Sequence, residues 1–346
     1  MIHSRKKISK AGETIMSSKS IEDRNEALQI INDWRASHIL PLLNRKNSLL
    51  RLMSKNNIEA IIASQRLKRL SSIEYKLDLN PNMRLGGMQD IGGYRIVVKD
   101  VQSLSKLYKL IRGQRSNHKL DKISDYITIP KSSGYRSIHF IYTYCSKQQR
   151  YKDIKLELQI RTRLQHSWAT AVETVGLITN TSLKSSQGSD RWLQFFKVVS
   201  SLFAIKEQLP KLDIHKDVSM KDLMIECYHL CEELNVIHTL EAIKVTISSM
   251  NAKGFPDDYY LINIDFDKLQ VNLVVYKKTQ LKYATEDYLL MEKDIDSSQN
   301  AVVLVSAKNM RALKKAYPSY FLDTTEFIKA LAGIQANCYH RGYVAL

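Results

Sequence analysis

The chain has 346 residues, of which 44% are hydrophobic, so it can bury a large core and is long enough for two domains. No apolar run approaches the ~18 residues of a membrane helix, and the first residues lack the apolar stretch of a signal peptide. A cytoplasmic protein is expected.

The four dispersed cysteines exclude a small disulfide-stapled scaffold. Cys227 and Cys231 flank His229, but a second ligand pair for zinc is not evident, so buried helical thiols are expected.

The formal net charge of +17 is unevenly distributed. Residues 1–120 contain 23 Lys and Arg against 10 Asp and Glu, residues 121–210 contain 13 against 7, and residues 211–346 contain 16 against 18. A basic surface attracts polyphosphate and nucleic acid through Coulomb attraction and counterion release. Scattered surface lysines would give the same total, so the charge gains meaning only beside the motifs.

The first 180 residues predict helices followed by a mixed α/β region. Helical spacing of apolar residues over 20–63 predicts two or three helices, and MRLGGMQDIGGYRIVV predicts a loop leading into a strand. A helix is predicted over 104–112, strands over 137–144 and 154–160, and another helix over 163–175. Glu157, Gln159 and Arg161 alternate with apolar residues, so their side chains share one face of the second strand.

The C-terminal part predicts a different unit. Helical segments continue to about residue 250, and NAKGFP then marks a break. The segments YYLINIDF, LQVNLVVY, DYLLMEKDI and AVVLVSA alternate like strands of a small antiparallel sheet, and helices are predicted over 310–321 and 325–334. The predicted domains are residues 1–252, with a helical connector from about 191, and residues 253–346.

The residues from Asp125 to Gly176, which include PKSSGYRSIHF and LELQIRTRLQHSWATAVETVG, resemble the RelA/SpoT-type synthetase core. The resemblance implies an α+β fold with a mixed sheet flanked by helices. It also implies an ATP-dependent pyrophosphokinase that uses Mg²⁺. No Walker-type phosphate loop is present, so cationic side chains and metal must bind the phosphates. No His-Asp hydrolase domain is expected ahead of the core, and reversal of the product by the same protein is therefore not expected.

The same resemblance assigns the catalytic and acceptor residues. Asp90 and Glu157 would bind magnesium, and Glu157 would also lie near the acceptor hydroxyl as ligand or base. Without the resemblance, Asp90 would be interpreted as a turn residue and Glu157 as a solvated strand residue. Tyr135 would offer a flat ring to the acceptor base. The acceptor side of the site would comprise Tyr135, His139, Gln159, Arg161 and His166, the last standing where many small synthetases carry Asp or Asn.

The donor site follows from SQRLKRLSSIEYKL and the strand after Asp90. By resemblance, Arg66 and Arg95 would stack on the two faces of adenine, since guanidinium planes suit stacking. The phosphates would meet Lys68, Lys76 and Lys131. An exposed helical charge face is the alternative reading of the first segment.

The added C-terminal sheet followed by AYPSYFLDTTEF resembles the CapRel-type fused toxin-antitoxin proteins. By that resemblance, Tyr317 and Tyr320 form an autoinhibitory Tyr-x-x-Tyr motif that shuts the adenine pocket. Such relatives pyrophosphorylate the 3′-hydroxyl of tRNA, which blocks aminoacylation, and a phage structural protein of the capsid type releases them. A monomer is expected.

Two other functions remain open. The first is a (p)ppGpp or (pp)pApp alarmone synthetase with a free nucleotide as acceptor, and the second is an inactive RNA-binding or phage-sensing module. If tRNA is the substrate, the basic half should contact its backbone. Candidate RNA contacts are Lys6, Lys7, Arg45, Lys46, Arg51 and Lys55.

Overall fold

A computed structural model describes residues 3–178, 189–242, 258–265, 268, 270–293, 300–307, 313–314 and 323–344. Within these residues the chain forms two sheets, one of five strands and one of three, with helices around both. The predicted fold class, a mixed sheet with flanking helices plus a small antiparallel sheet, is confirmed. No helix among the described residues is long and apolar enough to cross a bilayer.

The N-terminal part begins with helices and ends in the five-stranded sheet. Its elements are α1 Arg5–Ser17, α2 Ile21–Ala36, α3 Ile39–Lys55, β1 Ile62–Leu67, α4 Leu70–Asp78, β2 Gly92–Val98, α5 Val101–Gly113, β3 Lys119–Asp125, β4 Ile138–Tyr144 and β5 Ile154–Thr162. The strand order is β1-β2-β5-β4-β3. Only β2 and β5 run parallel, and they form the centre of the sheet.

Alternation along β5 explains how this sheet divides its two faces. Leu156, Leu158 and Ile160 are at most 1% exposed and pack with α5, whose Leu104 and Leu107 are also buried. Asp100 caps α5 by accepting a hydrogen bond from the backbone N–H of Ser103. The opposite face of β5 is thereby left for polar side chains.

The middle of the chain is helical and continues the core. Its elements are α6 Arg163–Ile178, α7 Asp190–Lys206, α8 Met220–Glu233 and α9 Val236–Ala242. The last helix of the chain, α11 Thr325–His340, returns to this group, and Phe327 packs against Phe195 and Phe203. Cys227, Cys231 and Cys338 are buried here as free thiols, which confirms the sequence expectation for the first two.

Three antiparallel strands and one helix form the C-terminal sheet unit. They are β6 Asp258–Asp265, β7 Gln270–Tyr276, α10 Leu281–Lys293 and β8 Asn300–Ala307, with strand order β7-β6-β8. Buried side chains of β8, such as Val303 and Val305, join one apolar cluster with Ile62 of β1 and Val97 of β2. The small sheet therefore packs on the edge of the large one.

One predicted strand of this unit was wrong. DYLLMEK lies in α10 because Ala284 and Tyr288 stand four residues apart and bury one helical face, at 0% and 1% exposure. The predicted boundary near residue 253 lies outside the described residues, so the division into two domains stays a prediction.

Candidate active site

A cleft of about 140 Å³ opens on the polar face of the large sheet, between β1, β2, β5, α4 and α6. Gly93 of β2 lies opposite Glu157 of β5, and a Cβ at this glycine would stand 4.0 Å from the Glu157 carboxylate. The missing side chain keeps space beside that carboxylate. The lining residues are Ser64, Gln65, Arg66, Lys68, Arg69, Ser72, Asp90, Gly93, Tyr94, Arg95, Glu157, Gln159 and Glu173.

Asp90 is held between two lysines. Lys68 Nζ lies 3.1 Å from Asp90 Oδ2, and Lys76 Nζ lies 3.0 Å from Oδ1. Burial alone would raise the pKa of Asp90, but the attraction of the two ammonium groups outweighs it and leaves the pKa below its ordinary value. Burial also lowers the pKa of Lys68 despite the neighbouring carboxylate. The structure thus brings together three residues that the sequence assigned to metal and phosphate.

A group of arginines forms the other cationic part of the cleft. Arg66 extends from β1 and Arg95 from β2, so both line the same space. Burial and the neighbouring charge of Arg161 lower the pKa of Arg95 to about 10, whereas Glu173 of α6 acts in the opposite direction. Among the described residues, nothing accepts a hydrogen bond from Arg95 Nε. The cleft therefore concentrates positive charge suited to a polyphosphate.

Glu157 ends a chain of hydrogen bonds that starts at Arg161. Arg161 Nη2 donates to the Tyr135 hydroxyl, which lies 2.8 Å from His139 Nε2, while His139 Nδ1 lies 2.8 Å from Glu157 Oε1. Since a carboxylate only accepts, His139 Nδ1 carries a proton and donates it to Glu157. Gln159 Nε2 donates to Glu157 Oε2 at 2.8 Å.

These contacts decide the charge of Glu157. Burial and the negative charge of Asp90 act to raise its pKa, yet the hydrogen bond and charge of His139 outweigh them, so the pKa lies below its ordinary value. Glu157 is an ionised carboxylate that opens into the cleft. It can accept a proton from a hydroxyl placed there.

The Gly-Tyr loop is shaped for its position. Gly134 has φ of +93°, and a Cβ there would come within 3.1 Å of Ser200 and Trp168, so both backbone and space require glycine. Tyr135 is only 9% exposed, and Arg161 lies 4.9 Å from its ring centre. Its predicted stacking on an acceptor base stays a prediction.

Lys131 lies beside Tyr126 and Tyr135 rather than among the residues that line the cleft. Its Nζ is 4.7 Å from the ring centre of Tyr126 and 5.5 Å from that of Tyr135. Tyr126 also packs edge-on against His139, with ring centres 5.2 Å apart. His166, by contrast, is 5% exposed within α6 and does not line the cleft.

Sequence reasoning missed several site residues. Tyr126 lay within the region from Asp125 to Gly176 but was given no role, and Glu173 could have been found from its place ten residues into the helix that follows β5. Ser64 and Gln65 gave no signal because the strand β1 itself was not predicted, and Ser72, which lies on α4, gave none either.

The predicted RNA contacts divide into buried and exposed residues. Arg45 and Lys46 are 5% and 7% exposed. The Arg45 guanidinium lies over the Tyr142 ring, and Lys46 Nζ lies 3.2 Å from Ser306 Oγ, so these two assignments were wrong. The other four, Lys6, Lys7, Arg51 and Lys55, are exposed. Tyr317 and Tyr320 lie outside the described residues.

The donor set fits a magnesium-nucleotide complex. Magnesium is usually bound by one or two carboxylates together with water and phosphate oxygens, and Asp90 and Glu157 offer carboxylates in one cleft. In the described part of the chain, no three His, Cys, Asp or Glu side chains come together as a metal site. When bound here, the ion would neutralise charge on the phosphate oxygens.

The part of the chain that forms this cleft is similar to known proteins. Residues 65–175 match the family model described as a region found in RelA / SpoT proteins. GTP pyrophosphokinase YwaC of Bacillus subtilis is 26% identical over 167 residues, 44% of this chain and 78% of that protein. GTP pyrophosphokinase rsh of Brucella melitensis is 32% identical over 165 residues, 44% of this chain but 21% of that protein.

Two solved structures are similar to this chain over about half of its length. Small alarmone synthetase 1 of Bacillus subtilis, bound to its product pppGpp, is 22% identical with a TM-score of 0.43, covering 52% of this chain and 92% of that one. A GTP pyrophosphokinase family protein of Streptococcus pneumoniae is 21% identical with a TM-score of 0.43, covering 59% and 97%. The matched region, residues 65–175, contains the cleft residues from Gln65 to Glu173 and is of the RelA/SpoT type.

Proposed function

We propose that this protein transfers a pyrophosphoryl group from ATP to a hydroxyl group. The observation that carries the proposal is the convergence of Asp90 and Glu157 with Lys68, Arg66 and Arg95 in one cleft. Phosphoryl transfer depends on positioning and on charge stabilisation, and this group supplies cations for the phosphates and carboxylates for a metal and a proton.

The reaction can be written from the residues of the site. The acceptor oxygen bonds to the β-phosphorus of ATP, the bond from that phosphorus to the α–β bridging oxygen breaks, and AMP leaves. Glu157 takes the proton of the acceptor hydroxyl, and His139 keeps the carboxylate oriented through its 2.8 Å contact. Lys68 and Lys76 lie where their ammonium groups can interact with the negatively charged phosphates of the donor.

For the acceptor, we propose the 3′-hydroxyl at the acceptor end of tRNA. The positive charge of the chain is concentrated in residues 1–210, which hold 36 Lys and Arg against 17 Asp and Glu, and such a surface suits an RNA backbone. Exposed Lys6, Lys7, Arg51 and Lys55 remain candidates for backbone contacts. Transfer to this end would block aminoacylation and thereby translation.

A free guanine nucleotide is the second candidate acceptor. It is favoured by the names of the relatives, which are GTP pyrophosphokinases. Tyr135 would then stack on a nucleotide base instead of a terminal base of tRNA, and the donor side of the site would be unchanged.

We further propose that the enzyme is a monomeric, autoinhibited toxin-antitoxin fusion. Its C-terminal part would close the adenine pocket with Tyr317 and Tyr320, and a phage capsid-type protein would release it. The support is the sequence resemblance together with the packing of the small sheet against β1, the strand that carries Arg66.

One assay tests the acceptor. Purified protein is incubated with Mg²⁺ and ATP labelled in the γ-phosphate, together with deacylated tRNA, GDP or GTP, with and without the Tyr317→Ala/Tyr320→Ala substitutions. Label on tRNA that disappears after removal of its 3′-hydroxyl supports the proposal. Label on guanine nucleotide supports the second candidate. Absence of transfer to every acceptor, from both proteins, would contradict the enzymatic function.

A further inference from the structure

The turn between β1 and α4 carries donor-site residues, yet it is fixed by residues distant in sequence. Lys68 leaves this turn toward Asp90, and Arg69 and Ser72 line the cleft beside it. Arg69 takes the N-cap position of α4 without a side-chain cap, so the first N–H groups of this helix need partners from elsewhere.

Arg35 of α2 fixes the start of the turn. Its side chain is 0% exposed, and both Nε and Nη2 donate to the carbonyl oxygen of Lys68, at 3.1 and 2.9 Å. Nη1 donates to Asn32 Oδ1 at 3.0 Å. A buried guanidinium needs a counter-charge as well as hydrogen bonds.

That counter-charge comes from α10. Glu292 pairs with Arg35 through both oxygens, at 2.5 Å from Nη1 and 3.1 Å from Nη2. Its Oε1 also accepts the backbone N–H of Leu70 at 2.9 Å, so this carboxylate supplies the missing partner at the N-terminus of α4. The Tyr288 hydroxyl accepts from Arg35 at 2.6 Å and donates to Glu292 at 3.1 Å.

We infer that Glu292 and Tyr288 are positioning residues of the donor site, which act through Arg35 and the Leu70 amide. On this inference, the docking of α10 sets the affinity for magnesium-ATP by fixing the turn from which Lys68 and α4 project. α10 and the turn lie more than 200 residues apart, so an event that moves the C-terminal unit changes the site directly. The inference rests on the proposed function for its ligand but not for its geometry.

The test compares Glu292→Gln with the matched control Glu286→Gln on the same helix. Glu286 is 53% exposed and pairs with Lys282 at 3.8 Å, so its substitution should change nothing. Tyr288→Phe removes one hydroxyl and keeps the ring. This milder substitution provides a second test in case Glu292→Gln fails to fold. Thermal melting and circular dichroism establish that each variant is folded.

Binding of a non-hydrolysable ATP analogue with Mg²⁺ is then measured by calorimetry, and amide exchange of the turn is measured without nucleotide. We expect Glu292→Gln to weaken analogue binding by about ten-fold, since partners behind a ligand-binding group are typically worth 10–100-fold. Tyr288→Phe should act in the same direction. Amides of residues 68–72 should exchange faster in Glu292→Gln than in Glu286→Gln. In the transfer assay, the KM for ATP should rise while kcat at saturating ATP stays within about two-fold.

The outcomes separate the inference from the proposed function. If neither wild-type protein nor the Tyr317→Ala/Tyr320→Ala protein binds the analogue, the proposed function fails, and exchange at residues 68–72 still decides whether α10 fixes the turn. If wild-type protein binds but Glu292→Gln binds equally well, the inference is overturned. Tighter binding by Glu292→Gln would also overturn it, because α10 would then obstruct the site.

Discussion

Arg136 ties the Gly-Tyr loop to the helical core, and its replacement by Met should loosen that loop. Its guanidinium is 4% exposed and donates to the Ile127 carbonyl at 3.1 Å, the Pro210 carbonyl at 2.7 Å and Ser200 Oγ at 3.3 Å. Burial lowers the pKa of Arg136 to about 10, so holding this charge inside already costs free energy.

The magnitude follows from what each partner loses. Pro210 is exposed, so water can replace its lost donor, and Ser200 keeps its own hydrogen bond to the Gly134 carbonyl. The carbonyl of the buried residue Ile127 loses the hydrogen bond that Arg136 donates to it. A buried group left without a partner costs about 1–3 kcal/mol, and hydrogen bonds to a charged donor contribute about 1.5–3 kcal/mol. Removal of the buried charge partly offsets these costs. We therefore expect the free energy of unfolding to fall by about 2–4 kcal/mol.

Thermal melting and amide exchange measure this loss. A melting temperature lower by roughly 3–6 °C is expected from the size dependence of unfolding entropy, with faster exchange of residues 126–135. The control is Arg163→Met, because Arg163 is 57% exposed and only approaches Glu326 at 3.7 Å. If Arg136→Met melts within about 1 °C of wild type, the argument from buried hydrogen bonds is refuted.

Two further predictions concern the carboxylates. Glu157→Gln should lower single-turnover transfer by about 10²–10⁴-fold while leaving binding of the ATP analogue within a few-fold, and transfer within about ten-fold of wild type would contradict its role as proton acceptor. In the folded protein, the pKa values of Asp90 and Glu157 lie below their ordinary values. These two carboxylates therefore stabilise the fold fully above their unfolded-state pKa values near 4, and this contribution is lost as the pH falls through their lower folded-state pKa values. Unfolding followed from pH 7 to 2 should therefore show Asp90→Asn and Glu157→Gln losing part of the acid dependence seen in wild type, and an unchanged profile would refute the assignment.

The sequence predicted the strand of Glu157 well because one structural rule decides it. Alternation of apolar and polar residues places Glu157, Gln159 and Arg161 on one face of β5, and the structure finds the first two in the cleft and the third beside Tyr135. The rule needs no knowledge of the rest of the chain. Equally local is the positive φ of Gly134, which favours glycine there whatever the surrounding contacts.

Other parts depended on contacts between distant residues and could not be predicted. Arg66 was read within a helical charge face as the alternative, whereas it lies on β1, a strand defined by pairing with β2. Arg45 looked like a surface cation until folding placed it over Tyr142, and the partner of Arg35 is 257 residues away. A basic side chain gives no sign in sequence of whether its counter-charge will be solvent, substrate or a buried carboxylate.

The two carboxylates of the site are already paired with neighbouring protein groups, and this pairing affects how a donor nucleotide would bind. Both oxygens of Asp90 are paired with lysines, and both oxygens of Glu157 accept hydrogen bonds from His139 and Gln159. A triphosphate carries more negative charge than one carboxylate, so Lys68 and Lys76 gain by turning toward it. Their departure would leave Asp90 with bare oxygens and a need for a cation. We therefore expect nucleotide and magnesium to bind this cleft with positive cooperativity, since each removes the electrostatic cost of the other.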